Sequence, residues 1–169
     1  MNDLEVTTTP DGKRGTRFLA ILVLCYLVSF LGAEGAMRGL GDWYPALARP
    51  SWAPPMALFI PLWTLVYGAL AVAAWQVWEE REKPAGHRAI AIACLVPQAM
   101  LGGAWPWIFF AYRSLLFSTI EGGVVWVLTG LSIWAFARVK ASAALLLIPY
   151  WTWVAYLSAL AFALYRSSR

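Results

Sequence analysis

Residues 43–55 read Trp43-Tyr44-Pro45-Ala46-Leu47-Ala48-Arg49-Pro50-Ser51-Trp52-Ala53-Pro54-Pro55. The four prolines fix φ, remove backbone donors and favour extended neighbours, so a continuous helix is excluded here. Most loops are polar, whereas this one carries two tryptophans and a tyrosine, which suit a membrane interface or the mouth of a pocket. The stretch therefore predicts an ordered, stiff aromatic loop over a helical bundle, with a simple interfacial anchor as the alternative.

The sequence around this loop is typical of a membrane protein. Hydrophobic residues make up 61% of the 169 residues, charged residues only 13%, and the mean hydropathy is +0.63. Because each apolar run is close to the roughly 20 residues that span a bilayer, and too long for a strand, we predict an all-α integral membrane protein. The predicted five-transmembrane-helix bundle occupies residues 17–169, behind a disordered tail at residues 1–16. The five spans are expected at residues 17–37, 56–78, 88–110, 115–136 and 142–165.

The rare polar residue types restrict the chemistry. One histidine and two cysteines, well separated along the chain, provide no ordinary zinc or haem-thiolate ligand set and no disulfide framework. The net charge of +4 comes from the ends and the short connections, without the aromatic and basic face of a nucleic-acid binder. No nucleophile–base pair can be identified, so we expect no catalytic or metal site and favour a binding protein over an enzyme. Its expected partners are membrane lipid and a hydrophobic small molecule, not nucleic acid.

The distribution of basic residues indicates the orientation in the membrane. Five crossings place the two termini on opposite sides, with eight Lys and Arg residues on the amino-terminal side and five on the other. This bias favours a cytoplasmic amino terminus. We expect a multi-pass protein of a bacterial inner membrane.

Aromatic and polar residues recur on single faces of the predicted spans. Lipid-facing surfaces normally carry Leu, Ile and Val, so tryptophans at several depths favour an inward, flat-walled cavity over simple helix packing. The pairs that share a face in spans two, three and five are Trp63 and Tyr67, Gln98 and Trp105, and Trp153 and Leu157.

Two polar residues and a pair of small residues also stand inside the apolar runs. Gln98 lies near the middle of span three and Glu121 about two turns into span four. An acid at bilayer depth costs about 2.5–3.5 kcal/mol on insertion scales and normally faces the bundle with a partner. A ligand contact, a proton-linked switch, a structural hydrogen bond and snorkelling towards the headgroups all remain open. Ala99 and Gly103 form a small-xxx-small step, which predicts close helix approach within the chain or across a homodimer.

These residues together resemble the TspO/MBR family of translocator and tryptophan-rich sensory proteins. The loop is similar to the family signature W-Y-x-x-L-x-K-P-x-W-x-P-P, with Arg49 at the lysine position. The resemblance covers residues 32–165. Further matches are Trp63-Thr64 with Tyr67, Gln98 with Trp105-Pro106 and Ile108-Phe109-Phe110, and Pro149-Tyr150 with Trp153.

The resemblance implies five packed helices whose first loop caps a cavity for porphyrins such as protoporphyrin IX, and in some members for sterols or synthetic ligands. It also implies frequent dimers. Light-dependent degradation of protoporphyrin, attributed to some bacterial relatives, would involve Tyr44, Trp63 and Trp153 here, while Trp52 matches the loop tryptophan. The porphyrin would be a ligand and not an obligatory cofactor. Combined with the helix faces, the resemblance gives as candidate ligand-binding residues Tyr44, Trp52, Trp63, Tyr67, Gln98, Trp105, Glu121, Trp153 and Leu157.

The sequence departs from the family pattern inside the expected cavity. Gly102 and Ala161 stand where the family usually has asparagine, and Leu157 stands where alanine is usual. The cavity is therefore expected to be smaller and drier, which favours an apolar ligand such as a carotenoid, a sterol-like lipid or an esterified pigment. We predict a membrane protein that binds, senses or carries a flat hydrophobic ligand. The alternative is a structural subunit of a larger membrane assembly, for example a pigment–protein complex, that has lost the pocket.

Overall fold

The computed structural model describes residues 10–168, with side chains from residue 12 onward, and every regular element in that range is a helix. Five spans are long and apolar enough to cross a membrane, so the chain is a multi-pass integral membrane protein with the predicted all-α fold. The elements are α1 (Pro10–Met37), α2 (Trp43–Ala46), α3 (Met56–Glu79), α4 (Ala85–Pro106), a π turn (Trp107–Ala111), α5 (Leu115–Ala137), α6 (Ala141–Leu145) and α7 (Ile148–Ser167).

The first helix begins earlier than predicted. Residues 10–16, assigned above to a disordered tail, form the first turns of α1, and residues 1–9 lie outside the described range. Proline is well suited to a helix start because the first turn needs no N–H from it. The Glu79 carboxylate at the end of α3 then holds this segment, with Arg14 Nε at 3.3 Å and Arg17 Nη1 at 3.2 Å. A contact distant in sequence thus supports a helix where local composition predicted a tail.

The spans pack as antiparallel neighbours, and every connection except the first is short. Helix α1 lies against α3 and α4, and α5 lies between α4 and α7. A Cβ added to Gly32 of α1 would lie 3.0 Å from the Gly103 carbonyl oxygen, and Gly103 itself faces Val28. The small residues of α4 therefore serve close packing against α1 inside the chain. A homodimer stays a prediction.

Two prolines change the course of their spans. After Pro106 the chain widens into the π turn, in which the Tyr112 N–H donates to the Trp107 carbonyl at 2.8 Å, five residues back. Pro149 has no N–H to offer the carbonyl four residues earlier. The fifth span is accordingly one crossing built from two helices, α6 and α7, which are separated at residues 146–147.

Candidate functional site

The first loop, residues 38–55, is tied to the bundle at both of its aromatic ends. The buried Tyr44 hydroxyl donates to the Pro54 carbonyl at 3.2 Å, and the Tyr44 ring meets Phe59 edge-on at 5.3 Å between centroids. At the other end, the Tyr156 hydroxyl of α7 donates to the Trp52 carbonyl at 2.6 Å. These contacts hold the loop against the start of α3 and the middle of α7.

The Tyr44 hydroxyl keeps its proton under ordinary conditions. Burial raises the pKa of Tyr44, and the Arg49 guanidinium, 5.0 Å from the ring centroid, opposes that rise only in part. A raised pKa in the folded state means that protonation of this hydroxyl stabilises the fold. That stabilisation is complete below the pKa of the unfolded chain and is lost as the pH rises through the pKa of the folded protein. The bond to Pro54 is therefore present at neutral pH and is weakened only in strongly alkaline solution.

Trp63 of span two and Trp105 of span three point into the bundle. Trp63 is 6% exposed and Trp105 is 3% exposed, and their ring centroids lie 6.2 Å apart. Trp105 also stacks on Phe109 at 4.6 Å and donates its Nε1–H to the Ser118 carbonyl at 3.1 Å. The inward face therefore consists of aromatic rings packed on one another.

The polar residues of the interior are only partly satisfied. Gln98 accepts a hydrogen bond from the Thr129 hydroxyl at 3.1 Å, and the Tyr67 hydroxyl donates to the Ala99 carbonyl at 2.5 Å. Both oxygens of Glu121 are shielded from solvent, yet neither has a hydrogen-bond partner among the described residues. Within residues 12–168 no group of three His, Cys, Asp or Glu side chains could hold a metal ion. The interior thus offers isolated polar contacts.

The space between these side chains is small. One gap beside Trp63 and Trp105 has about 20 Å³, and a second, lined by Gly102, Glu121 and Leu157, has about 10 Å³. Each is close to the room needed for one water molecule. In this structure the side chains fill the interior that was expected to hold a ligand.

Tyr150 explains much of this closure. Its side chain is fully buried, and its hydroxyl occupies the place that a Cβ on Gly102 would take. The Tyr67 hydroxyl lies 3.4 Å from the same Cβ position. Where the resembled family usually has an asparagine, this chain therefore has a glycine whose free space is used by a tyrosine of span five.

An open groove lies beneath the first loop, between α3 and α7, and has a volume of about 590 Å³. We call it the loop groove. Trp153 and Tyr156 form one wall, with ring centroids 5.4 Å apart and planes inclined by 21°, and Trp52 meets Tyr156 edge-on at 5.7 Å. The rest of the lining is nearly all apolar and consists of Ala53, Pro54, Pro55, Leu58, Leu62, Leu65, Val66, Pro149 and Thr152.

The candidate residues therefore fall into two groups. Trp52 and Trp153 line the loop groove. Tyr44 and Phe59 stand between the groups, since Phe59 contacts both Tyr44 at 5.3 Å and Trp153 at 6.2 Å. A direct contact of any of these residues with a ligand stays a prediction. The interior group consists of Trp63, Tyr67, Gln98, Trp105, Glu121 and Leu157.

Three residues that shape the site, Tyr156, Tyr150 and Thr129, are not among the candidate ligand-binding residues predicted from the sequence. Tyr156 follows Trp153 by three positions, so helical spacing alone places it on the same side of α7. Tyr150 precedes Leu157 by two turns and shares its face. Thr129, the partner of Gln98, carries no comparable signal, because a threonine inside a span is commonly bonded to its own helix, as it is here to the Val125 carbonyl at 2.7 Å.

Comparison with known proteins gives independent evidence on which family the chain belongs to. The sequence model of the TspO/MBR family matches residues 20–166. A tryptophan-rich protein TspO of Chlorobaculum tepidum is 34% identical over 145 residues, covering 83% of this chain and 89% of the relative. The translocator protein of Bos taurus is 28% identical over 144 residues, covering 85% of each chain. A tryptophan-rich sensory protein of Cereibacter sphaeroides is 27% identical over 136 residues, covering 80% of this chain and 81% of the relative.

Proposed function

Because this chain belongs to the TspO/MBR family, we propose that it binds, senses or carries a flat hydrophobic ligand within the membrane. The ligand would be a porphyrin or another tetrapyrrole, or a more apolar pigment or sterol-like lipid. One relative is named a translocator protein and another a tryptophan-rich sensory protein, and both names support a role of this kind.

The main structural support for this proposal is the size and lining of the loop groove. Its volume of about 590 Å³ lies within the range of about 300–1,000 Å³ typical of small-molecule sites. Trp153 and Tyr156 contribute aromatic surface to one wall of the groove, and such surface favours contact with the face of a planar ligand. The aromatic side chains of this groove, and not its size, favour a flat ligand over a flexible chain.

The position of the groove also suggests how the ligand arrives. Leu58 and Leu65, which line it, are exposed on the outer side of α3, where the bilayer surrounds the protein. A ligand dissolved in the membrane can therefore enter from the side without displacing the first loop. Because no charged side chain lines the groove in the described part of the chain, a neutral ligand avoids the cost of burying an unpaired charge.

Filling the groove should weaken binding of a porphyrin ester. We expect Leu62→Trp to raise the Kd for protoporphyrin IX dimethyl ester by at least about ten-fold, since the added ring takes up room that the ligand needs and about 1.4 kcal/mol corresponds to that factor. The shift of the porphyrin's main absorption band on titration measures binding without relying on protein fluorescence.

The matched control is Leu131→Trp, the same exchange on the exposed side of α5. It should bind the ester as the unmodified protein does. Equal affinities in Leu62→Trp and Leu131→Trp would remove the loop groove as the site. Absence of any saturable binding to the unmodified protein would instead favour the second function below.

The closed interior favours one other function, that of a structural subunit in a membrane assembly. The gaps of about 10 and 20 Å³ leave no room there for a ligand while Tyr150 stays in place. Extraction from the native membrane in a mild detergent, followed by mass measurement, separates the two proposals. A stoichiometric partner protein would support the assembly role, whereas a uniform monomer or homodimer would count against it.

A further inference from the structure

A second apolar groove, of about 580 Å³, lies between α1 and α4, with α3 as its floor. We call it the leaflet groove. Its walls include Leu24 and Val28 of α1 and Leu95 and Ala99 of α4, and Ala74 of α3 lies at its base. It shares no lining residue with the loop groove, so it does not depend on the function proposed above.

The length of the leaflet groove corresponds to one half of a bilayer. From Arg17 to Val28 the groove follows α1 for about 16 Å at 1.5 Å per residue, and from Tyr67 to Trp78 it follows α3 for a similar distance. The hydrocarbon layer of a bilayer is about 30 Å thick, so each leaflet contributes about 15 Å. An acyl chain lying along this groove would therefore extend from the membrane surface to the midplane.

The end of the groove at the membrane surface carries an aromatic residue and positive charge. Trp78 is 46% exposed there, as expected for a tryptophan at the headgroup level. Arg14 and Arg17 share the single carboxylate of Glu79, at 3.3 and 3.2 Å. Arg88 lies beside them, with its Nη1 donating to the Trp78 carbonyl at 3.3 Å. Two guanidinium groups on one carboxylate, with a third on the neighbouring backbone carbonyl, leave this mouth with a surplus of positive charge.

The whole end of the molecule has the same sign. Among residues 12–168, eight Lys and Arg side chains and three Glu side chains lie at the end formed by the start of α1, the α3–α4 connection and the α5–α6 connection. The orientation predicted from the sequence places this end in the cytoplasmic leaflet, whose anionic lipids attract basic segments.

We propose that the leaflet groove is a binding site for an anionic phospholipid, with one acyl chain in the groove and the phosphate at Arg14, Arg17 and Arg88. Any lipid can cover an apolar surface, but the guanidinium groups at the mouth select a negative headgroup. The groove supplies the apolar contact and Trp78 marks the headgroup depth. Shape and charge thus agree on one class of occupant.

The proposed binding of an acyl chain in the leaflet groove is tested by adding lipid to delipidated protein in detergent. Native mass spectrometry then counts the bound lipids. Dioleoyl phosphatidylglycerol and dioleoyl phosphatidylcholine have the same acyl chains and differ only in the headgroup. We expect one phosphatidylglycerol molecule to bind per protein in clear preference to phosphatidylcholine. Ala20→Trp places a large ring in the groove and should abolish that bound lipid. Val23→Trp, on the exposed side of the same helix and outside the groove, should retain it.

The proposed contact between the lipid phosphate and the arginines is tested by Arg14→Gln, which leaves Arg17 paired with Glu79. Its preference for phosphatidylglycerol should fall roughly five-fold, the effect of about 1 kcal/mol per basic residue near a membrane surface. Arg166→Gln, a basic residue in the last turn of α7 at the opposite end, should leave the preference unchanged.

Three results would overturn the proposal. Equal binding of the two lipids by the unmodified protein would remove the headgroup selection, and equal loss in Arg14→Gln and Arg166→Gln would show that only net charge matters. Unchanged lipid binding in Ala20→Trp would place the lipid elsewhere. A change of oligomeric mass in that variant, with lipid binding retained, would identify the groove as a contact between copies of the chain.

Discussion

Replacing Phe110 by alanine is expected to lower the free energy of unfolding by about 3–5 kcal/mol. The Phe110 side chain is 1% exposed, and its ring meets Phe59 at 5.3 Å, Phe109 at 4.7 Å and Tyr44 at 5.9 Å. Because these rings join α3, the π turn and the first loop, removing the central one leaves a cavity that no single element can close. Thermal unfolding in detergent measures the loss.

The same exchange at Phe117 provides the control. Phe117 lies on α5 and is 65% exposed, so Phe117→Ala should change the stability by no more than about 0.5 kcal/mol. Limited proteolysis should also cut the first loop of Phe110→Ala faster than that of Phe117→Ala, since Tyr44 loses a packing partner. Similar unfolding temperatures for the two variants would contradict the assignment of Phe110 to the centre of the cluster.

The second large effect is expected at Gly102. A methyl group there meets the Tyr150 hydroxyl, so Gly102→Ala should destabilise the protein by about 1–3 kcal/mol through overpacking. Tyr150→Phe should cost little alone, because the neighbouring Tyr67 hydroxyl already donates to the Ala99 carbonyl and keeps that bond in the variant. With the hydroxyl gone, the ring Cζ lies 3.3 Å from the new methyl group, and the double variant should recover most of the loss.

The four proteins form a double-mutant cycle that is read from their unfolding temperatures. A coupling near zero, with Gly102→Ala equally harmful in both backgrounds, would show that Tyr150 is not what limits this position. Recovery in the double variant would also explain why an asparagine could not simply be restored at Gly102. The side chain of such an asparagine would compete with Tyr150 for one place.

The positions of the spans could be predicted from composition, since an apolar run of the right length has few other structures to adopt in a bilayer. The start of α1 could not, because the residues that fix it, Arg14, Arg17 and Glu79, meet across about 60 positions of sequence. The break in span five could be suspected from Pro149, but a proline inside a span is often accommodated without one, as Pro61 is inside α3.

The candidate site was predicted less completely. The inward direction of Trp63 and Trp105 follows from helical spacing and the high cost of placing tryptophan at mid-depth against lipid. Whether such rings surround a cavity or fill it depends on the separation of the helices, and hence on side chains such as Tyr150 that reach across from another span. A spacing pattern in one helix has no information about that distance.

The division of span five at residues 146–147 separates two sets of contacts along one crossing. On one side of the division, Ser142 donates to the Gln76 side chain at 2.7 Å and Lys140 pairs with Glu80 at 3.6 Å, which anchors α6 to the charged end of α3. On the other side, α7 carries Trp153 to the loop groove. We expect a ligand bound in the loop groove, as proposed above, to tilt α7 about these two residues while α6 stays anchored to α3.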